Sequence, residues 1–361
     1  YRPTSLAAPG QFPVSGSGSF DAFVLKMSGD GSEMVYASFI GGRDDDAGAA
    51  VAVDRQGSAT LAGTTRSPDL PGTAGHFRPH LAGGDDAFVL KLGPGGTEIA
   101  YATYLGGSGA DGAAGVALDD ASSALVAGTT ASADFPVTQG AWDVHLDGTD
   151  AFLARLDPAG NGLLYATFVG GQAWEQGQGV AVDAAGQAVL VGNTASPDLP
   201  TTAGALGTAL AGETDAFVAR LNPAGTALLY GSYVGGSQAE SARDVGLDAA
   251  GNAYVTGETA STEQTFPVAV GPDLVAGDDG TLEAGGLARP LGQARAGRDG
   301  TQTRGQARQP QHPQTLPSIH RIVHRQLLAG LRHPVRDTRP SHLKPNSPLA
   351  KARSAGHMSP A

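Results

Sequence analysis

Four acidic residues stand at one fixed place in a repeating pattern. Asp46, Asp111, Glu175 and Glu240 each lie eight residues ahead of a second acid, Asp54, Asp119, Asp183 or Asp248. Brought around a common axis, such equivalent carboxylates would form a negative mouth suited to a hard, oxygen-seeking cation such as Ca²⁺. Asp44 and Asp45 make the first copy the densest in charge. The candidate metal ligands are therefore Asp44, Asp45, Asp46, Asp111, Glu175 and Glu240. The competing role is local, each acid accepting hydrogen bonds from the N–H groups of its own Gly-rich turn.

No other constellation marks a reaction. The sequence has no Gly-x-Ser-x-Gly elbow, no phosphate-binding Gly loop ending in Lys-Ser/Thr and no His-Glu-x-x-His. His76 and His80 have the i, i+4 spacing of a helical metal pair, but the Phe-Arg-Pro between them opposes a helix. Cysteine is absent, which removes disulfides and thiolate metal or redox sites. No catalytic residue is assigned. A hydrolase or lyase using the ring-position acids as general acid and base is the alternative to a binding or structural role.

The elements that would position these acids follow from an internal repeat. Asp21-Ala-Phe-Val-Leu-Lys-Met27 returns as Asp86-Ala-Phe-Val-Leu-Lys-Leu92, Asp150-Ala-Phe-Leu-Ala-Arg-Leu156 and Asp215-Ala-Phe-Val-Ala-Arg-Leu221, at offsets of 65, 64 and 65. Three further apolar segments accompany each copy, beginning in the first at Tyr36, Val51 and Ala59. Each is short, rich in Val, Tyr, Phe and Thr, and bounded by Gly, Pro, Asn or Asp, which is strand chemistry. Asp183-Ala-Ala-Gly and Asp248-Ala-Ala-Gly place Gly where a tight hairpin needs positive φ. Ser122 stands at that place in the second copy, which predicts a looser turn there.

Four antiparallel strands per unit of about 65 residues predict an all-β β-propeller, because blades packed face to face bury both faces of each sheet. A β-solenoid is less compatible with so long a period. The domain reading is a remnant of a preceding inter-strand loop over 1–20, propeller repeats over 21–276 and a tail over 277–361.

The four-part signature over about 21–268 resembles the bacterial SBBP repeat, named for a seven-bladed β-propeller. The resemblance implies an exported or cell-surface protein, a repeat with no assigned reaction, and no catalytic residues to carry over. It also implies that the Val-Ala-Val-Asp segment is the innermost strand and Tyr…Gly-Gly the outermost. On that phasing the chain opens with two outer strands, continues with three whole blades and closes with two inner strands. That is an incomplete arc, or a four-repeat ring if the terminal pieces complement each other.

Loops of about 20 residues, 66–85, 131–149 and 195–214, join the fourth segment to the next repeat. They share Ser-x-Asp-Leu/Phe-Pro (Ser67–Pro71, Ser132–Pro136, Ser196–Pro200) and then diverge, with His76 and His80 in one and Trp142 and His145 in another. Variable loops on a fixed frame are where recognition concentrates, so a protein or carbohydrate partner is expected there. No cofactor is expected beyond the Ca²⁺ possibility. The oligomeric state is left open.

The net charge of −12 is unevenly spread. Residues 1–284 hold 10 Lys+Arg against 33 Asp+Glu, and residues 285–361 hold 13 against 2. An acidic body argues against binding nucleic-acid phosphate, and no apolar run reaches the ~20 residues of a membrane span. No signal peptide is visible, so extracellular or cell-surface placement rests on a signal upstream. The repeat halts at Asp279, and the Arg-, Gln- and Pro-rich remainder is predicted disordered, with translation out of frame as one origin.

Overall fold

In the computed structural model, residues 20–262 and 265–267 are described. The expectations for residues 1–19 and for the tail over 277–361 lie outside them. Sixteen strands follow in order among the described residues: β1 (Ala22–Met27), β2 (Met34–Ile40), β3 (Asp46–Val53), β4 (Ala59–Thr65), β5 (Asp86–Leu92), β6 (Ile99–Leu105), β7 (Asp111–Leu118), β8 (Ala124–Thr130), β9 (Asp150–Leu156), β10 (Leu163–Val169), β11 (Glu175–Val182), β12 (Ala188–Thr194), β13 (Asp215–Leu221), β14 (Leu228–Val234), β15 (Glu240–Leu247) and β16 (Ala253–Thr259).

All sheet pairings are antiparallel, and they fall into the predicted phasing. β1–β2 form a two-stranded sheet, β3–β6, β7–β10 and β11–β14 form three four-stranded blades, and β15–β16 form a second two-stranded sheet. Each whole blade straddles a repeat boundary. Its first hairpin comes from one copy and its second from the next, joined by the long loop. The two terminal sheets are not hydrogen-bonded to each other, so the described residues form an open arc.

The blades hold together face to face. Ala87, Val89, Tyr101 and Leu105 of the first blade share a core with Val126, Phe152, Ala154 and Phe168 of the second. Leu125, Leu153 and Tyr165 meet Leu190, Phe217 and Tyr233 in the same way at the next junction. Because both faces are covered, the third strands β5, β9 and β13 are buried almost throughout despite a sequence without clean alternation. Each fully buried Leu or Phe contributes about 1.5–3 kcal/mol.

Two close approaches require glycine. Gly96, Gly160 and Gly225, all at positive φ in the turn between third and fourth strands, lie on the rings of Tyr36, Tyr101 and Tyr165 of the preceding sheet. Each inner strand carries a bulge. At these bulges the inner strands touch, since a side-chain carbon on Gly115 would lie 3.2 Å from the Gly179 Cα.

The turn at Ser122 corrects the sequence reading. Ser122 takes the left-handed conformation of its glycine counterparts, at φ 64°. It keeps the same bond, Ser122 N–H to the Asp119 carbonyl at 2.9 Å. The hairpin is as tight as the others. Asp119 holds it by accepting from Ala121 and Ser123 N–H at 2.8 and 2.9 Å, which offsets the left-handed cost.

Candidate functional site

The acids at the head of the inner strands are the first residues of β3, β7, β11 and β15, where the chain turns in from the outer strand. Asp46, Asp111, Glu175 and Glu240 are all buried, at 2, 3, 0 and 3% exposure. Each accepts from the second glycine of its own Gly-Gly turn: Gly42, Gly107, Gly171 and Gly236 donate at 2.8, 2.7, 2.9 and 2.7 Å. The end of the neighbouring strand supplies further donors. Thr65 donates to Asp46, Thr194 to Glu175 at 2.6 Å and Thr259 to Glu240 at 2.7 Å. Ser67 and Ser132 add bonds to Asp46 and Asp111 at 2.8 and 2.7 Å. The acids thus tie the outer-to-inner turn to the start of the long loop.

A second set of carboxylates, Asp21, Asp86, Asp150 and Asp215 ahead of Ala-Phe, converges on the same turns. The first glycine of each Gly-Gly pair is flanked by two carboxylates from adjacent sheets, all of them buried except the half-buried Asp21. A side-chain carbon on Gly106 would meet Asp86 Oδ1 at 2.6 Å and Asp111 Oδ2 at 2.8 Å. Gly170 lies likewise between Asp150 and Glu175, and Gly235 between Asp215 and Glu240. The signal was available: an acid before Ala-Phe and an acid after Gly-Gly occur together in all four copies.

The two sets differ in electrostatics. Burial raises the Asp86 and Asp215 carboxyls above the usual range, and the neighbouring Asp111 and Glu240 add to it. N–H groups of Ala82 and Gly83, or Ala211 and Gly212, hold the rise in check. Asp150 has only one long bond, from Asp147 N–H at 3.4 Å, and its Oδ1 is buried without a partner. Burial, with Glu175 nearby, pushes Asp150 up to about 7. Burial also acts on Glu240, but bonds from Ser261, Thr259 and Gly236 outweigh it and lower its pKa.

Of the remaining candidates, Asp44 lies beside Arg43 at 3.7 Å and its N–H donates to Ser67. Asp45 accepts from Phe20 N–H at 3.2 Å. Among the described residues no three His, Asp or Glu side chains gather closely enough to hold a metal ion. His76 rests against the Tyr101 ring, 6.0 Å between centroids.

The long loops have a backbone role that no motif announced. Each runs along the outermost strand of its blade and bonds to it: Tyr104 N–H to the Arg78 carbonyl, Phe168 to Asp143 and Tyr233 to Gly207, at 3.0, 3.2 and 3.1 Å. An outer strand would otherwise present a free edge, which invites pairing with other chains. Leu70, Phe135 and Leu199 of the shared element anchor the loops in the core. Val144, His145 and Leu206 are left exposed at their outer ends.

This architecture defines a β-propeller repeat array. Residues 100–136, which run from the outermost strand of the first blade through the inner hairpin of the second, match the family model SBBP, beta-propeller repeat. A search of curated proteins returns no match. No helix among the described residues is long and apolar enough to cross a membrane.

Proposed function

We propose that the chain is a propeller scaffold, displayed outside the cell, that binds a protein or carbohydrate through the outer ends of its long loops. The observation that carries the reading is a constant frame with variable exposed residues. The same backbone bonds fix loops 66–85, 131–149 and 195–214 to three blades, while the residues at equivalent places differ: Arg78, Asp143 and Gly207 at the bonded position, followed by Pro79, Val144 and Thr208. A rigid frame lowers the ordering cost of binding. Burial of the ring-position acids favours this reading over a hydrolase or lyase, since a general acid or base must reach its substrate. The placement outside the cell draws on the resemblance to the SBBP repeat alone.

Glycan-array and surface-protein capture with the whole chain test the reading. Val144→Glu, His145→Glu and Leu206→Glu together are expected to reduce capture at least about tenfold with an unchanged melting temperature. Equal capture by wild type and the triple variant would overturn it.

A further inference from the structure

The segment that leads into each inner strand keeps its buried places constant and varies its exposed ones. In the third copy the buried places hold Glu175, Gly177 and Val180, matched in the second by Asp111, Ala113 and Val116. The alternate places hold Gln172, Trp174, Gln176 and Gln178, where the second copy has only Ser108, Ala110, Gly112 and Ala114. Alternate residues of an extended chain share a face. Gln172, Trp174 and Gln176 are exposed, while Glu175 and Gly177 between and beside them are buried. Gln178, half-buried, is the extra residue of the β11 bulge. We infer that this strip binds a neutral saccharide, the Trp174 ring taking the apolar face of a sugar and the glutamines its hydroxyls.

Trp174 has no packing task. The other tryptophan, Trp142, lies against the core between the second and third blades. Trp174 joins none of the core clusters and is 39% exposed. Its strand β11 runs between β7 and β15, with described sheets on both sides, so this exposure is not set by where the described residues begin or end. The neighbouring inner strand touches β11 at Gly115 and Gly179 and has nothing larger than serine at the equivalent places. The approach to the ring is open.

The chemistry of the strip fits a sugar. A pyranose has a face of C–H groups and a rim of hydroxyls, each both donor and acceptor. An aromatic ring matches the face. A carboxamide carries two N–H donors and an acceptor oxygen, so it matches the rim without desolvating a charge. Among the described residues, the side chains of Gln172, Gln176 and Gln178 bond to no other protein group, which leaves that capacity available. Charge selects the class. Lys and Arg are absent over residues 156–219, and Asp198 borders the strip, accepting from Gln172 N–H at 3.0 Å. A uronate or sulfated sugar would bring its charge to a carboxylate with no cation on this stretch to receive it.

The test titrates the whole chain with cellohexaose, xylohexaose, mannohexaose, chitohexaose and maltohexaose, followed by tryptophan emission and calorimetry. At least one is expected to bind saturably and shift the emission. Trp174→Ala, and separately Gln176→Ala with Gln178→Ala, should weaken that binding at least about tenfold with an unchanged melting temperature. The variant with Val144→Glu, His145→Glu and Leu206→Glu should bind the saccharide as wild type does, which separates this site from the outer ends of the loops. Hexagalacturonate should not bind. No response to any of the neutral saccharides, undiminished binding by Trp174→Ala, loss of binding in the loop variant, or a preference for hexagalacturonate would overturn the inference.

Discussion

The ring of Phe152 lies against Gly128, its Cζ 2.7 Å from where a side chain would begin. This contact shows why the middle strand reads Gly-Thr-Thr: the glycine is a slot for the aromatic residue of the next strand. Gly128→Ala would drive a methyl group into both the ring and the Gly112 carbonyl. It is expected to cost about 3 kcal/mol or more, read as a lower urea midpoint at unchanged slope.

Ser122 sits at φ 64°, where only glycine is free of strain. Ser122→Gly removes that strain without touching the Asp119 bonds, at some cost in chain entropy. A gain of about 0.5–1 kcal/mol is expected, seen as a rise in melting temperature. A loss would mean that the hairpin depends on the serine side chain.

Asp150 gives a pH dependence of defined sign. Its carboxyl is raised to about 7 in the folded chain from an ordinary value near 3.8. The folded state therefore holds the proton more tightly than the unfolded state. This contribution to stability is complete below about pH 4 and is lost as pH rises through 7. Asp150→Asn keeps a neutral group at all pH values. Its stability relative to wild type should be lowest at pH 4 and rise by about 4 kcal/mol by pH 8, followed by thermal unfolding across that range.

The inner-strand acids act through their turns. Glu175→Ala strands the Gly171 N–H and the Thr194 hydroxyl in a buried site, for an expected loss of about 3 kcal/mol. Glu175→Gln can still accept from Gly171 and should lose less. The two Glu175 oxygens accept from Gly171 and Thr194, and millimolar calcium is expected to leave the melting temperature unchanged. A rise abolished by Glu175→Gln would place calcium there.

Much of this was legible in the sequence because four copies display the same apolar segments, and the strand phasing follows from them. The starts of the inner strands were not. Asp111-Gly-Ala-Ala-Gly has no β-branched residue, and it becomes a strand only by pairing with the 124–130 segment through a bulge. Both acids of each carboxylate pair stand out in every copy, but their meeting was not legible, because Asp86 and Asp111 belong to different blades. The edge-covering role of the long loops was hidden too, since backbone bonds such as Tyr104 to Arg78 leave no mark on residue type.

The most direct measurement of the blade phasing is a nuclear Overhauser spectrum of the perdeuterated, selectively protonated chain. Antiparallel pairing of β8 with β9 predicts contacts between Val126 and Ala154, and touching inner strands predict contacts between the Gly115 and Gly179 α-protons. A parallel ladder joining Val116 to Val180, with no Val126–Ala154 contact, would contradict the propeller.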